Sequence, residues 1–217
     1  MCMIAQSDMI ASMLDFASIA VDPAALPEHT DLRELFEDGE RPIELEIGCG
    51  KGAFLLRQAQ AHPQRNFLGI EWANKFYKFA ADRMARWGLG NVRIMRTDAR
   101  EFVMTRLAAE CLSALHIYHP DPWPKKKHLR RRLIQPPFLD AAIRVLRPGA
   151  RLALQTDHAD YFEQMKLVTA ARHDLIAVPF EDDEHGSVDG SIKTNFEIKY
   201  LREGRPIYRL AFRKSQR

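Results

Sequence analysis

From residue 43 to residue 156 the chain repeats one rhythm: a short apolar run, a turn, then a stretch with helical spacing. The apolar runs are IELEI (43–47), NFLGIE (66–71), NVRIMR (91–96), LSALHIY (112–118) and ARLALQT (150–156). Between them, AFLLRQAQA (53–61), KFYKFAADRMARW (75–87) and REFVMTRLAAE (100–110) place apolar side chains three and four residues apart, as a helix face requires. Gly88 and Gly90 stop the second of these. Pro136 and Pro137 suit only a first turn, so a further helix is expected from there to Leu146. RPG (147–149) then turns the chain into the fifth run, a helix follows from about Asp160, and PIYRLAFRK (206–214) adds a C-terminal strand. Few folds accept such alternation. It predicts an α/β fold with a doubly wound, mostly parallel sheet covered by helices on both faces.

Ligands of such sheets bind beyond the C-terminal strand ends. Glu46 with its glycine loop, Glu71, Asp98, Asp121 and Asp157 fall at or just past five of them. The chain has 217 residues, 46% of them hydrophobic, enough for one sizeable core. One domain over 36–217 is therefore expected, preceded by a loosely ordered segment, 1–35. That segment is apolar, but Asp8 and Asp15 interrupt it and no Lys or Arg precedes it, which argues against an export signal. No apolar run approaches a membrane span. Cys2, Cys49 and Cys111 are scattered and form no CxxC, so neither a disulfide framework nor a zinc site is expected, and a cytoplasmic protein is.

The first strand leads into EIGCGKGAF, with Gly48, Gly50 and Gly52 between strand and helix. Glycines there let backbone approach a ligand closely. The pattern also satisfies GxGxxA, so a nicotinamide dinucleotide and a plain turn are formal alternatives. Charge favours another ligand. A carboxylate at Glu46 repels a pyrophosphate but attracts the ammonium and sulfonium of S-adenosylmethionine. Glu71 would accept from ribose hydroxyls, and Asp98 would meet the adenine amino group.

The fourth run ends in HIYHPDPWPKKKHLRRR (116–132). Pro120, Pro122 and Pro124 fix φ at three positions, so the corner is stiff, and stiffness helps where two reactants must be held in line. Enzymes that methylate exocyclic amines of adenine or cytosine place a D-P-P-[WY] motif at this strand end; here the order is P-D-P-W. Guanine N7 already presents an in-plane lone pair, so an acceptor of that kind needs orientation rather than deprotonation. Asp121 would supply it by accepting from guanine N1–H and the 2-amino group. Trp123 either stacks on a base or fills space beside the prolines. Net charge is only +3, with EDDE at 181–184 offsetting part of the basic run, so the positive charge is local. Lys126, Lys127, Arg130, Arg131 and Arg132 are candidate contacts to an RNA backbone, in a loop or short irregular turn. About four neutralised phosphates would make log affinity fall with log salt at a slope near −3.

Together LEIGCGKG, NFLGIE, HPDPWPKKKHLRRRL, LRPGARLALQTDH and TNFEIKYLREGRPIYRL resemble the bacterial tRNA (guanine-N7-)-methyltransferases, over about Arg41 to Arg213. The glycine loop is shared by many methyltransferases; the PDPW-plus-basic segment followed by T-x-F-E is specific. The resemblance implies a Rossmann-like class I S-adenosylmethionine-dependent fold that methylates guanine 46 in the tRNA variable loop. It implies donor binding by Glu46, Glu71 and Asp98, with Asp121 both donor-proximal and catalytic. It further implies substrate contacts from Lys125, Asp157, Thr194, Asn195, Phe196 and Glu197. No metal, membrane or obligatory protein partner is expected, and the chain would act as a monomer or homodimer. TNFE also fits a capping box, and Asp157 a helix cap. His119 departs from the family's usual aromatic and suggests space filling. The alternatives are methylation of an exocyclic amine, or donor-sensitive RNA binding without turnover.

Overall fold

The computed structural model describes residues 14–180 and 194–216, apart from the side chains of Asn195 and Phe196. In chain order it begins with a single helical turn, α1 (Phe16–Ile19), running into a two-residue strand, β1 (Ala20–Val21). Then come β2 (Ile43–Ile47), α2 (Ala53–Ala61), β3 (Asn66–Ile70), α3 (Asn74–Arg86), β4 (Val92–Met95) and α4 (Ala99–Glu101). The second half holds β5 (Leu112–Tyr118), α5 (Pro136–Val145), β6 (Leu146–Thr156), α6 (Ala159–Ala170), β7 (Leu175–Val178), α7 (Asn195–Arg202) and β8 (Tyr208–Lys214). The eight strands form one sheet in the order β1-β4-β3-β2-β5-β6-β8-β7. The pairings among β1 to β6 are parallel, and β8 runs antiparallel between β6 and β7. The expected doubly wound, mostly parallel sheet is what forms.

Both faces are covered, which explains the continuous apolar runs. Leu55, Leu56 and Ala59 of α2 and Ala80, Ala81 and Met84 of α3 bury Phe67 and Ile94 on one face. Phe138, Leu139 and Ala142 of α5, with Tyr161 and Met165 of α6, cover Leu45, Leu68, Leu115 and Leu152 on the other. Strand order reverses between β2 and β5, which lie side by side although 64 residues separate Ile47 from Leu112. That switch point opens a crevice at the C-terminal strand ends.

The helix expected over 100–110 is shorter. α4 widens into a π turn over Phe102–Arg106 and ends at Leu107. Arg144 accounts for the stop: its guanidinium donates to the Leu107 (2.7 Å) and Val103 (3.0 Å) carbonyls, which a longer helix would use internally.

Residues 14–35 also differ from expectation, since they are docked rather than loose. Ala20 and Val21 pair with Ile94 and Met95, Ile19 and Leu32 are fully buried, and Leu107 bridges to Thr30. Arg106 holds the intervening turn by donating to the carbonyls of Pro23 (2.9 Å), Leu26 (2.7 Å) and Pro27 (2.9 Å). Three backbone acceptors with one charged partner make this a concentrated anchor. Residues 1–13, and the acidic stretch 181–184, lie outside the described residues. Arg106→Ala is expected to lower stability by about 1–3 kcal/mol. Hydrogen exchange should show residues 14–35 losing protection while β2, β3 and β5 keep theirs; unchanged protection there would refute the anchoring role.

Candidate active site

The turn after β2 is built from three left-handed glycines: Gly48 (φ 74°), Gly50 (φ 54°) and Gly52 (φ 68°). Their side-chain positions differ in meaning. A Cβ on Gly52 would lie 2.5 Å from Met84 Cε, so this glycine lets α2 pack against α3. A Cβ on Gly48 or Gly50 would meet nothing within 4 Å, so these two leave open space above the strand end. Glu71, just past β3, shapes the loop: its Oε2 accepts from Gly50 N–H (2.9 Å) and its Oε1 from Ala73 N–H (2.8 Å). Each oxygen keeps a second lone pair for a ligand hydroxyl.

Glu46 is the anomalous group. It is 3% exposed, and its Oε2 has no hydrogen-bond partner among the described residues. Burial, together with the Glu71 carboxylate, pushes its carboxyl up to about 8. A buried acceptor left open is costly unless a ligand completes it. Asp98 caps α4, its Oδ1 accepting from Arg100 N–H (2.8 Å) and Glu101 N–H (3.1 Å). Its Oδ2 makes no hydrogen bond among the described residues, and its neighbours Thr97 and Ala99 line the crevice.

Two adjoining cavities share Gly48, Gly50, Phe76 and Tyr118. One, of about 430 Å³, reaches from Glu71, Trp72 and Thr97 to His119, Pro120, Asp121 and Trp123. The other, of about 340 Å³, is bordered by Glu46, Phe54, Thr194 and Lys199. Asp121 is exposed at the first, and its carboxylate has no hydrogen bond or ion pair among the described residues. The corner that carries it is held from all sides. His119 and Trp123 adopt positive φ (51° and 42°), a region side chains enter only under constraint. His119 N–H donates to the Gln155 carbonyl (2.7 Å), and the Gln155 amide donates to His119 Nε2 (3.0 Å). This leaves Nδ1–H for Asp157 (3.4 Å), while burial above all lowers the His119 pKa.

Arg132 holds the other side and corrects an expectation. It is 1% exposed, so it is no RNA contact. Its guanidinium donates to the Pro122 carbonyl (2.8 Å) and Gln164 (2.8 Å), pairs with Asp160, and lies over the Tyr161 ring. Lys125, Lys126, Lys127, Arg130 and Arg131 are exposed, and Lys126–Arg131 form a 3₁₀ turn. Arg131 lies over Trp123 (4.9 Å), whose ring also stacks on His128, and both Arg131 and Trp123 face the larger cavity.

Asp157 is engaged by His119 and Arg205. It is not the α6 cap; His158 is, accepting from Tyr161 N–H. Thr194 does cap α7, accepting from Glu197 N–H (3.0 Å), and Glu197 pairs with Arg209 (2.6 Å). The backbone of Asn195 and Phe196 forms the first turn of α7; their side chains lie outside the description. Trp72, Phe76, Tyr118 and Lys199 border the cavities without having been singled out from sequence. Tyr118, last residue of β5 and directly before the HPDPW corner, was the most legible of them. Among the described residues no three His, Cys, Asp or Glu side chains are grouped to hold a metal, and no helix is long and apolar enough to cross a membrane.

The methyltransferase family described as "Putative methyltransferase" matches residues 40–210. The chain is 34% identical to the tRNA (guanine-N(7)-)-methyltransferase of Rhodopirellula baltica, over 93% of this chain and 76% of that one. It is 39% identical to the enzyme of the same name from Alkalilimnicola ehrlichii, over 89% and 80%. The chain belongs to the tRNA (guanine-N7-)-methyltransferase family. Its fold is also that of the 16S rRNA methyltransferase KamB (TM-score 0.56, 16% identity, 87% of this chain and 95% of that one). Membership in this methyltransferase family sets aside the dinucleotide reading of the glycine loop.

The raised Glu46 carboxyl has a defined pH signature. Between the ordinary 4.5 and about 8, the folded protein holds a proton there that the unfolded chain has released, so stability falls as pH rises through that window. An ammonium binding at Glu46 favours the carboxylate and expels the proton. At about pH 6.5, where an α-ammonium is fully formed, calorimetry in buffers of different ionisation heat should show proton release on S-adenosylmethionine binding. Glu46→Gln should bind more weakly and release none; equal release by both proteins would refute the assignment.

Proposed function

We propose that this chain transfers the methyl group of S-adenosylmethionine to N7 of guanine 46 in the tRNA variable loop. The observation that carries the reading is Asp121: a carboxylate without a partner among the described residues, on a rigid corner, sharing one cavity with Gly48, Gly50 and Glu71. The open acceptor on Glu46 and the uncovered glycines fit the donor, and the names of the curated relatives supply the acceptor class.

When bound, the donor supplies an electrophilic methyl on a sulfonium. Glu46 would take its ammonium, Glu71 its ribose hydroxyls, and the free Oδ2 of Asp98 its adenine amino group. Asp121 accepts from guanine N1–H and the 2-amino group, and so turns N7 toward the donor. N7 carries its lone pair in the ring plane, so no general base need remove a proton before attack. The rate then rests on orientation, which the clamped corner maintains. The product base is positively charged, and S-adenosylhomocysteine leaves.

Lys125, Lys126, Lys127, Arg130 and Arg131 grip the RNA phosphates beside the cavity. Asp157, beside His119 of the corner, and Thr194, Asn195, Phe196 and Glu197 at the start of α7, where Thr194 borders the smaller cavity, serve as substrate contacts. A cytoplasmic location accords with a tRNA substrate.

The test is methyl transfer from labelled S-adenosylmethionine to unmodified tRNA transcripts. Wild-type protein should yield 7-methylguanosine at position 46 only. Asp121→Ala should lower kcat/KM by at least about 100-fold with donor affinity and melting temperature kept. Transfer to an adenine or cytosine amine, or tRNA binding without transfer, would replace this reading.

A further inference from the structure

Helix α3 is amphipathic, but its solvent face is not ordinary. Ala80, Ala81, Met84 and Ala85 make the buried stripe. On the opposite side, where helix periodicity calls for polar residues, stands Phe79 (49% exposed), while Phe76 (36% exposed), one turn before Ala80, carries the apolar stripe out to its exposed edge. Trp72, 67% exposed, precedes the helix. Cations surround these rings. Lys51 Nζ lies 5.6 Å over Phe79, Arg96 lies 5.7 Å over Trp72, and Arg83 donates to the Lys51 carbonyl. Lys75 and Lys78 are exposed and make no ion pair among the described residues. Asp82, the one acid of α3, is paired with Arg86.

The patch is continuous with the site. Phe76 borders both cavities, Trp72 the larger and Lys51 the smaller. In the sheet, β3 and β5 flank β2, so α3 and the Asp121 corner stand on either side of the glycine loop.

We propose that this face of α3 is a second RNA-binding wall, holding unpaired nucleotides next to the methylated guanine. This rests on the tRNA reading above. Exposed aromatics interleaved with unpaired lysines suit bases stacked on rings and phosphates held by cations. A protein partner fits less well, because interface cores are depleted in lysine. Phe79 carries a stacked base, and Lys75 and Lys78 hold the phosphates beside it. Neither lysine nor Phe79 borders either cavity of the site, so donor binding does not depend on them.

The experiment compares full-length wild type with Lys75→Glu/Lys78→Glu, Phe79→Ala and Phe79→Trp. Binding of a tRNA transcript is measured across a salt series, beside S-adenosylmethionine affinity, melting temperature and sedimentation. The double variant should weaken tRNA binding at least about 10-fold and flatten the log–log salt slope by about 1.5 to 2. Phe79→Ala should weaken it about 5- to 100-fold, and Phe79→Trp should bind like wild type. In turnover, KM for tRNA should rise while kcat holds. Unchanged tRNA affinity and slope would overturn the proposal, as would Phe79→Trp binding no better than Phe79→Ala. A changed sedimentation coefficient with unchanged tRNA affinity would assign the face to a second copy of the chain and also overturn it. Should wild type make no 7-methylguanosine, the methylation reading fails by itself, while the binding comparison still decides the role of α3.

Discussion

The parallel pairing of β2 with β5 is the constraint on which the site depends. Their register, Glu44 with Ala114 through Ile47 with Ile117, brings the glycine loop and the Asp121 corner to the same edge of the sheet. The interface between them is buried, and it contains a carboxylate. Glu44 is 1% exposed, and its two oxygens are taken by Arg65 (2.7 Å) and His116 (2.9 Å). His116 Nδ1 in turn meets the Tyr118 hydroxyl (2.8 Å), at the wall of both cavities. Removing one partner of a buried charge costs about 3–5 kcal/mol, so the chain Arg65–Glu44–His116–Tyr118 ties strand pairing to the shape of the pocket.

Two residues further along β2, Glu46 receives the opposite treatment. It points to the same face as Glu44, because side chains two apart in a strand share a face. Among the described residues no basic group pairs with it, and its carboxyl rises to about 8. One carboxylate completes the fold; the other keeps an oxygen without a hydrogen-bond partner among the described residues. The same division holds in the basic segment, where Arg132 turns inward to clamp Pro122 while Arg131 stays at the cavity mouth.

Rigidity of the HPDPW corner comes from outside it as much as from its prolines. Positive φ at His119 and Trp123 persists because Gln155, Asp157 and Arg132 hold the flanking groups. Among the described residues nothing comparable restrains the Asp121 carboxylate. A fixed backbone carrying a free acceptor is what an orienting residue requires.

Much of this was legible in the sequence where the information is local. Runs such as LSALHIY encode buried parallel strands, Gly48 and Gly50 announce close approach, and Pro136 opens α5, since each effect acts within a few residues. TNFE announced the α7 cap for the same reason. Arg132 was misread because six cations in eight residues look alike in sequence. Only the distant Asp160, Gln164 and Tyr161 single one out for burial. Residues 14–35 looked loose because their anchors, Arg106 and β4, lie some 70 residues away. The sequence by itself determined the order of elements and the types of residue at each strand end, through periodicity and local sterics. Tertiary structure decided which charges are spent on the fold and which remain for chemistry, because desolvation and partnering depend on groups that only packing brings together.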